Sequence, residues 1–310
     1  MSNILVLAGG SVKGAFQAGV IKALFEKGYQ PDAIYGVSAG SLNASFLVNQ
    51  FGLQQISGEP INAAQAGLDL WDFWETRITR PDCLSKPLGL FELGWTALTK
   101  KFRGLVSTKP LRNLVEDMLS MRNLHASPIG LKIGAVNIID GGIHYVDPSF
   151  EHFYDYLMAS SAVPILMPVV KINRENRLSF LDGGLRDVAP LQRALLDGGT
   201  NIVCICCHTE GIEGGFFDTG DLLALVDRVM DIAVNEILNA DIKESVLIND
   251  SLPKDGSEAL SGPHKGKKRV KISVVRPKHP INIDIQTFNK FDIRRLLEVG
   301  YAMGKEIPLE

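Results

Sequence analysis

The sequence predicts an α/β protein, with a mainly parallel central sheet and helices on both of its faces. Three observations predict it. Short apolar runs alternate with helix-like stretches along the chain, the pattern of strands joined by crossover helices. The first two runs each pass through a turn of glycine and other small residues directly into a helix-like run, as a parallel strand does when it hands over to its crossover. The chain of 310 residues is 45% hydrophobic, ample for one large core, and carries no internal repeat.

In order, Ile4-Leu5-Val6-Leu7 reads as the first strand, residues 8–15 as a glycine-rich loop and residues 16–24 as a helix. Ala33-Ile34-Tyr35 reads as the second strand and residues 41–48 as the next helix. Residues 51–106 interrupt the alternation as a helical, lid-like insertion holding Trp71, Phe73, Trp74, Phe91, Trp95 and Phe102. Trp71 and Trp74 read as anchors of ordinary helices, and the stretch from Leu88 to Trp95 as a lid over the turn at 36–40. Residues 134–139 and 143–146, joined by Asp140-Gly141-Gly142, read as a β-hairpin whose glycines supply positive φ. Leu178-Ser179-Phe180-Leu181 is a strand that ends at Asp182 and leads through Gly183-Gly184 to a helix at 190–196. An apolar strand at 201–207, a long helix at 221–247, a strand at 270–275 and a helix at 292–305 complete the alternation.

Chemistry concentrates at Gly36-Val37-Ser38-Ala39-Gly40, a G-x-S-x-G between the second strand and its helix. That is the context of a nucleophile elbow: Gly36 and Gly40 let the backbone bend, and the helix aims its first N–H groups where negative charge develops. Ser38 follows only one earlier strand, whereas an α/β-hydrolase places its serine deeper in the chain. The loop after strand one, Ala8-Gly9-Gly10-Ser11-Val12-Lys13-Gly14-Ala15, presents backbone N–H groups at a helix start and makes an anion site. If strands one and two are neighbours, the two turns lie side by side. Acyl transfer needs that pairing of a nucleophile with oxyanion donors about 3 Å away.

Residues 8–14 resemble the G-G-G-x-[K/R]-G oxyanion loop of the patatin-like phospholipases. Residues 36–40 match that family's elbow, Asp182-Gly183-Gly184 its D-G-[G/A] motif, and residues 159–169 resemble its S-x-A-x-P segment. Order and spacing fit as well; the resemblance runs to about residue 200 and is only general beyond. It implies a patatin-like three-layer α/β/α fold as a single domain over 1–310, with 201–310 supplying the rest of the sheet and the C-terminal helices. It also implies a serine lipid acyl hydrolase acting on carboxylic esters, with lipid as its partner and with no cofactor and no metal. Ser38 would be the nucleophile, Asp182 its base, and Gly9, Gly10 and Ser11 the oxyanion hole, with the N–H groups of Gly10 and Ser11 as donors. Lys13, beside Gly14, would draw a head group or merely solvate the loop. Two residues depart from the family pattern: Ser11 replaces the loop's third glycine, and Val188 stands where asparagine is frequent.

A triad would need a histidine after Asp182. His208 ends the strand at 201–207, where active sites gather, and stays a candidate; His264 and His279 sit in a basic, Pro-flanked stretch and read as surface residues. His125, His144 and His152 precede the aspartate and show no ligand spacing. An acyltransferase sharing the same dyad, and a lipid-binding module whose dyad is broken, remain the alternatives.

The net charge of −3 argues against nucleic acid. The N-terminus runs straight into a strand, no stretch of about 18 apolar residues exists, and the four cysteines have neither zinc nor disulfide spacing. A cytoplasmic protein is expected, with peripheral membrane contact as an option through the basic segment 254–279.

Overall fold

Strand β1 (Asn3–Leu7) is buried on both faces and feeds two separate apolar cores. Leu5 and Leu7 enter one; Ile4 and Val6 enter the other. Such two-sided burial is why the strand reads as a continuous apolar run. The computed structural model describes residues 2–89, 104–172, 178–212, 220–262 and 264–308.

Within those residues the remaining strands are β2 (Ala33–Val37), β3 (Lys86–Pro87), β4 (Val106–Ser107), β5 (Gly130–Asn137), β6 (Ile143–Val146), β7 (Val170–Lys171), β8 (Ser179–Asp182), β9 (Asn201–Ile205) and β10 (Lys271–Val275). The helices are α1 (Gly14–Glu26), α2 (Ala39–Ser57), α3 (Ala63–Arg77), α4 (Lys109–Met118), α5 (Met121–Ala126), α6 (Phe153–Ser160), α7 (Leu191–Leu196), α8 (Leu222–Ser251) and α9 (Lys290–Glu306). Strands β10-β9-β1-β2-β5 lie side by side and all parallel, and β8 and β7 extend the sheet antiparallel. Helices α1, α2, α3 and α9 pack on one face through Phe16, Phe51, Leu70 and Leu297, while α7 and α8 cover the other through Leu191 and Leu238. The mainly parallel, three-layer α/β/α architecture is as the sequence implies.

One junction in this sheet positions everything that follows. β2 runs along β5 until Val37 faces Gly134. The same edge of β5 is then taken over by β8, whose last residue, Asp182, faces Ala135. β6 occupies the opposite edge, pairing Tyr145 with Gly134 and His144 with Ala135. β2 and β8 therefore meet head to head on one edge of β5, and each turns away from the sheet there. The sequence does not foretell that β8 is antiparallel, because that depends on pairing with a strand some 45 residues away.

In the 51–106 stretch, α2 and α3 occupy the first part, and β3 pairs with β4. Trp74 is buried and donates its indole N–H to Asn43 Oδ1 at 2.8 Å; Trp71 packs edge-on against Tyr301 of α9. Phe91, Trp95 and Phe102, and most of the expected lid, lie outside the described residues. No helix of the described residues is long and apolar enough to cross a membrane.

Candidate active site

Ser38 occupies the turn between β2 and α2 with φ 56° and ψ −127°, a strained conformation for a residue with a Cβ. Close packing enforces it. A Cβ on Gly36 would come within 2.4 Å of Gly40 O, and one on Gly40 within 2.1 Å of Leu7 O, so both positions admit only glycine. The turn is pinned by serines: the Ser38 N–H donates to Ser160 Oγ at 3.1 Å, and Ser41 Oγ donates to Ser38 O at 2.6 Å. Ser161 Oγ reaches the same carbonyl at 3.4 Å.

Asp182 comes to Ser38 through the β2–β8 junction. Its backbone N–H donates to Ala162 O at 3.0 Å, tying the end of β8 to the segment that also carries Ser160. Its Oδ1 accepts the Gly184 N–H at 2.8 Å, and its carboxylate is hydrogen-bonded to the Ser38 hydroxyl. Burial pushes the Asp182 carboxyl up to about 7, against the Gly184 amide and the Ser38 hydroxyl, which favour the charged form.

The β1–α1 loop lies beside the elbow, since β1 and β2 are parallel neighbours with Leu7 opposite Gly36. A Cβ on Gly9 would sit 3.2 Å from Ser38 Cβ. The Gly9 N–H is committed to Val188 O at 3.0 Å, while among the described residues nothing accepts from the N–H of Gly10 or Ser11. Ser11 sits at φ 51°, so the position does take a glycine-like conformation, and the serine bears the strain. Val188 serves through its carbonyl, a contact any residue can make, and its side chain is buried against the loop. Gln17 Nε2 braces the loop from below, donating to Ala8 O at 2.8 Å and Ile205 O at 2.9 Å. Asn43 holds Gln17 in turn, and Trp74 holds Asn43.

Lys13 does not face open solvent. Its Nζ pairs with Asp231 Oδ1 of α8 at 2.8 Å, and His208 Nε2 meets the same oxygen at 3.0 Å. Burial lowers the His208 pKa, partly offset by Asp231, so the imidazole is neutral near pH 7. Burial works to raise Asp231, but His208 and Lys13 together hold it well below the usual carboxylate range. Thus His208 shares the cavity wall with Ser38, yet its hydrogen-bond partner is Asp231, and the Ser38 hydroxyl is bonded to Asp182.

Ser38, Asp182, Gly10 and Ser11 open into one cavity of about 290 Å³. Val106, Val163, Leu166, Met167 and Ile283 make its walls apolar, while Lys13, His208, Asp227 and Asp231 make one side polar. An apolar cleft with few polar groups at one end suits an acyl chain with its ester at the polar end. Pro81, Ser85 and Pro87 also line it, so the described part of the 51–106 stretch contributes a wall. Asp140 does not belong here: its Oδ1 accepts the Gly142 N–H at 2.7 Å and its Oδ2 binds Asn137, closing the β5–β6 hairpin with Gly141 at φ 72°. Among the described residues no cluster of His, Cys, Asp or Glu could hold a metal ion. His279 is exposed and His264 half-buried, both away from the cavity.

Sequence reasoning missed Gln17, Asn43, Asp231 and the bonds made by Ser160 and Ser161. The one available signal was Gln17, a polar residue within the apolar first turns of its helix, Ala15-Phe16-Gln17-Ala18.

The family model for patatin-like phospholipases matches residues 5–195. The uncharacterized protein YjjU of Escherichia coli (strain K12) is 28% identical over 204 residues, 65% of this chain and 50% of that protein, so the chain spans half the length of this relative. VipD from Legionella pneumophila, a solved structure, aligns over 98% of this chain and 66% of its own at 13% identity, with a TM-score of 0.41.

Proposed function

Because the chain belongs to the patatin-like phospholipase family, a family of lipid acyl hydrolases, we propose that it cleaves carboxylic ester bonds of phospholipids, lysophospholipids or acylglycerols through Ser38 and Asp182. The observation that carries this reading is the β2–β8 junction, which brings Ser38 and the buried Asp182 into one cavity, where burial pushes the Asp182 carboxyl up to about 7. A general base works best with a pKa near the operating pH.

Ser38 Oγ attacks the ester carbonyl carbon as its proton passes to Asp182. The carbonyl oxygen becomes an oxyanion, held by the free N–H groups of Gly10 and Ser11; Gly9, whose N–H is taken by Val188, shapes the loop and donates nothing. The tetrahedral species collapses, the C–O bond to the alcohol breaks, and Asp182 returns the proton to the departing alkoxide. Water then attacks the acyl-serine with Asp182 again accepting a proton, and the fatty acid leaves as the proton returns to Ser38. His208, fixed by Asp231, takes no part in this relay.

A p-nitrophenyl ester series tests the assignment. Ser38→Ala and Asp182→Asn abolish turnover, while Asp140→Asn, at the hairpin, leaves it near normal. A fluorophosphonate labels the native serine and not Ser38→Ala. Full activity in Asp182→Asn would remove the dyad.

A further inference from the structure

Beneath the oxyanion loop lies a second pair of carboxyls that the hydrolysis above does not use. Asp241 of α8 reaches under the segment after β8, and its Oδ2 accepts the backbone N–H of Val188 at 2.8 Å and of Ala189 at 3.2 Å. Val188 O, in turn, receives the Gly9 N–H at 3.0 Å, and Gly9 packs against Ser38. A short chain of contacts therefore runs from Asp241 to the loop that holds the oxyanion donors.

Asp187 stands beside Asp241, and the two carboxyls are in hydrogen-bond contact. Asp187 Oδ2 accepts from the Tyr145 hydroxyl, but its Oδ1 is buried with no other partner. Two carboxylates cannot hydrogen-bond each other, and a buried orphan acceptor is costly. One proton between them removes both difficulties.

We propose that Asp187 and Asp241 share a single proton, and that this acid–carboxylate pair is a latch holding Val188, Gly9 and hence the oxyanion donors in place. Both are positioning residues, since neither touches the reacting atoms. Burial pushes both carboxyls up, and repulsion from Asp187 adds to the rise of Asp241, to about 7. The other titratable groups around the pair do not supply a counter-charge. Tyr145 of β6 is held neutral, its pKa raised by burial and by Asp187; Arg193 of α7 is committed to Asp197; Cys204 of β9 is a buried thiol with a raised pKa. Arg276, beyond β10, acts on Cys204 and His208. Raised carboxyl pKa values mean that the proton is held at low pH and lost as pH rises through the neutral range. The latch then carries two adjacent negative charges and loosens.

The kinetic consequence rests on the hydrolase reading; the shared proton does not, and the test separates them. In an Asp182→Asn, Asp227→Asn background, which removes two further carboxyls whose pKa burial raises, infrared spectra at pH 6 show a carboxylic-acid carbonyl band that fades by pH 9 and is absent when Asp187→Asn is added. No band at pH 6 overturns the shared proton. For the latch, native kcat/KM toward a p-nitrophenyl ester rises with pH as Asp182 ionises, then falls on the alkaline side. Asp187→Asn, whose amide donates permanently to Asp241, keeps the neutral-pH activity and abolishes the alkaline fall. Asp241→Ala, which strands two N–H groups, lowers kcat at least about tenfold with KM little changed; if it fails to fold, Asp241→Asn replaces it and, like Asp187→Asn, loses the alkaline fall. An alkaline fall unchanged in Asp187→Asn overturns the latch. A band that behaves as described in a protein that turns over no ester removes the hydrolase reading and leaves the shared proton standing.

Discussion

Replacing Asp182 by asparagine should abolish activity and, at alkaline pH, stabilise the protein. The Asp182 carboxyl lies at about 7 in the fold against an ordinary value of 3.8, a rise of roughly 3 units, and each unit is worth about 1.4 kcal/mol. A carboxyl whose folded pKa is raised contributes stability that is fully present below its unfolded pKa and lost as pH climbs through the folded one. The loss accumulates from about pH 4 to pH 7 and reaches about 4 kcal/mol, of which about 2.5 kcal/mol falls between pH 5 and pH 8. Asparagine keeps an oxygen for the Gly184 N–H and carries no charge, so it escapes this penalty. Urea unfolding followed by circular dichroism, at pH 5 and pH 8, measures the difference between native and Asp182→Asn. The Asp187–Asp241 pair is present in both proteins and cancels. The same pKa sets the rate: ester hydrolysis rises tenfold per pH unit toward about pH 7, so activity at pH 5 is about a hundredfold below its maximum. A stability difference equal at the two pH values would falsify the desolvated base, because it would show Asp182 titrating as an ordinary carboxylate.

Gly10→Ala places a Cβ 2.3 Å from Cys207 Cβ and 2.6 Å from its Sγ, so the donor loop must shift; kcat should drop about 10²–10³-fold and recover in part when Cys207→Gly clears the space. No recovery in the double variant would show that the clash is not the cause. Trp74→Phe leaves Asn43 Oδ1 without its donor and should cost about 1–3 kcal/mol in urea unfolding, and a change within a few tenths would exclude a structural role for the Trp74–Asn43–Gln17 chain. In the segment 254–279, Lys268, Arg269 and Lys278 are ion-paired with Glu258, Asp250 and Glu306, whereas Lys265 and Lys267 are not in these pairs. If this segment attracts anionic lipid, Lys265→Glu with Lys267→Glu should lower co-sedimentation with anionic vesicles by at least roughly 30-fold, taking about 1 kcal/mol per lost charge. Binding indifferent to lipid charge and to salt would eliminate the idea.

The residues that sequence located best were those whose role is local. The elbow needs glycines within a few positions of Ser38, and the hairpin at Asp140 needs glycine in a turn, so both can be recognised from adjacent residues. Asp182 could be told from Asp140 because one ends a strand before a helix and the other joins two strands. What stayed hidden depends on residues far apart in the chain. Nothing near Gly9 indicates that its N–H is spent on Val188 O, about 180 residues later, so that of the three loop residues only Gly10 and Ser11, the expected donors, keep an uncommitted N–H among the described residues. Asp231 and Asp241 lie on a long helix where no neighbouring residue marks them out, and only the packing of α8 against the loops after β1 and β8 gives them their partners. Lys13 offered two readings, head-group attraction or solvation; its pairing with Asp231 at 2.8 Å fits neither in its simple form.

The junction of β2 and β8 also gives a reason why the proposed dyad would need no histidine. A triad places imidazole between serine and aspartate because an ordinary carboxylate, near pH 4, is too weak a base at neutral pH. Here the two strands end against each other on one edge of β5, and that contact buries the Asp182 carboxyl instead of leaving it to solvent. Desolvation raises its pKa to about 7, the range imidazole would otherwise supply. The neighbouring histidine is not placed for the task, since its Nε2 is held by Asp231. The cost falls on stability, as the pH dependence of Asp182→Asn would reveal. The bonds from Ser38 N–H to Ser160 and from Asp182 N–H to Ala162 offset part of it by fixing both partners to one segment. A base strengthened by burial loses that strength if water enters, so substitutions that open the β2–β8 junction should lower the Asp182 pKa and the rate together, even where Ser38 and Asp182 remain in contact.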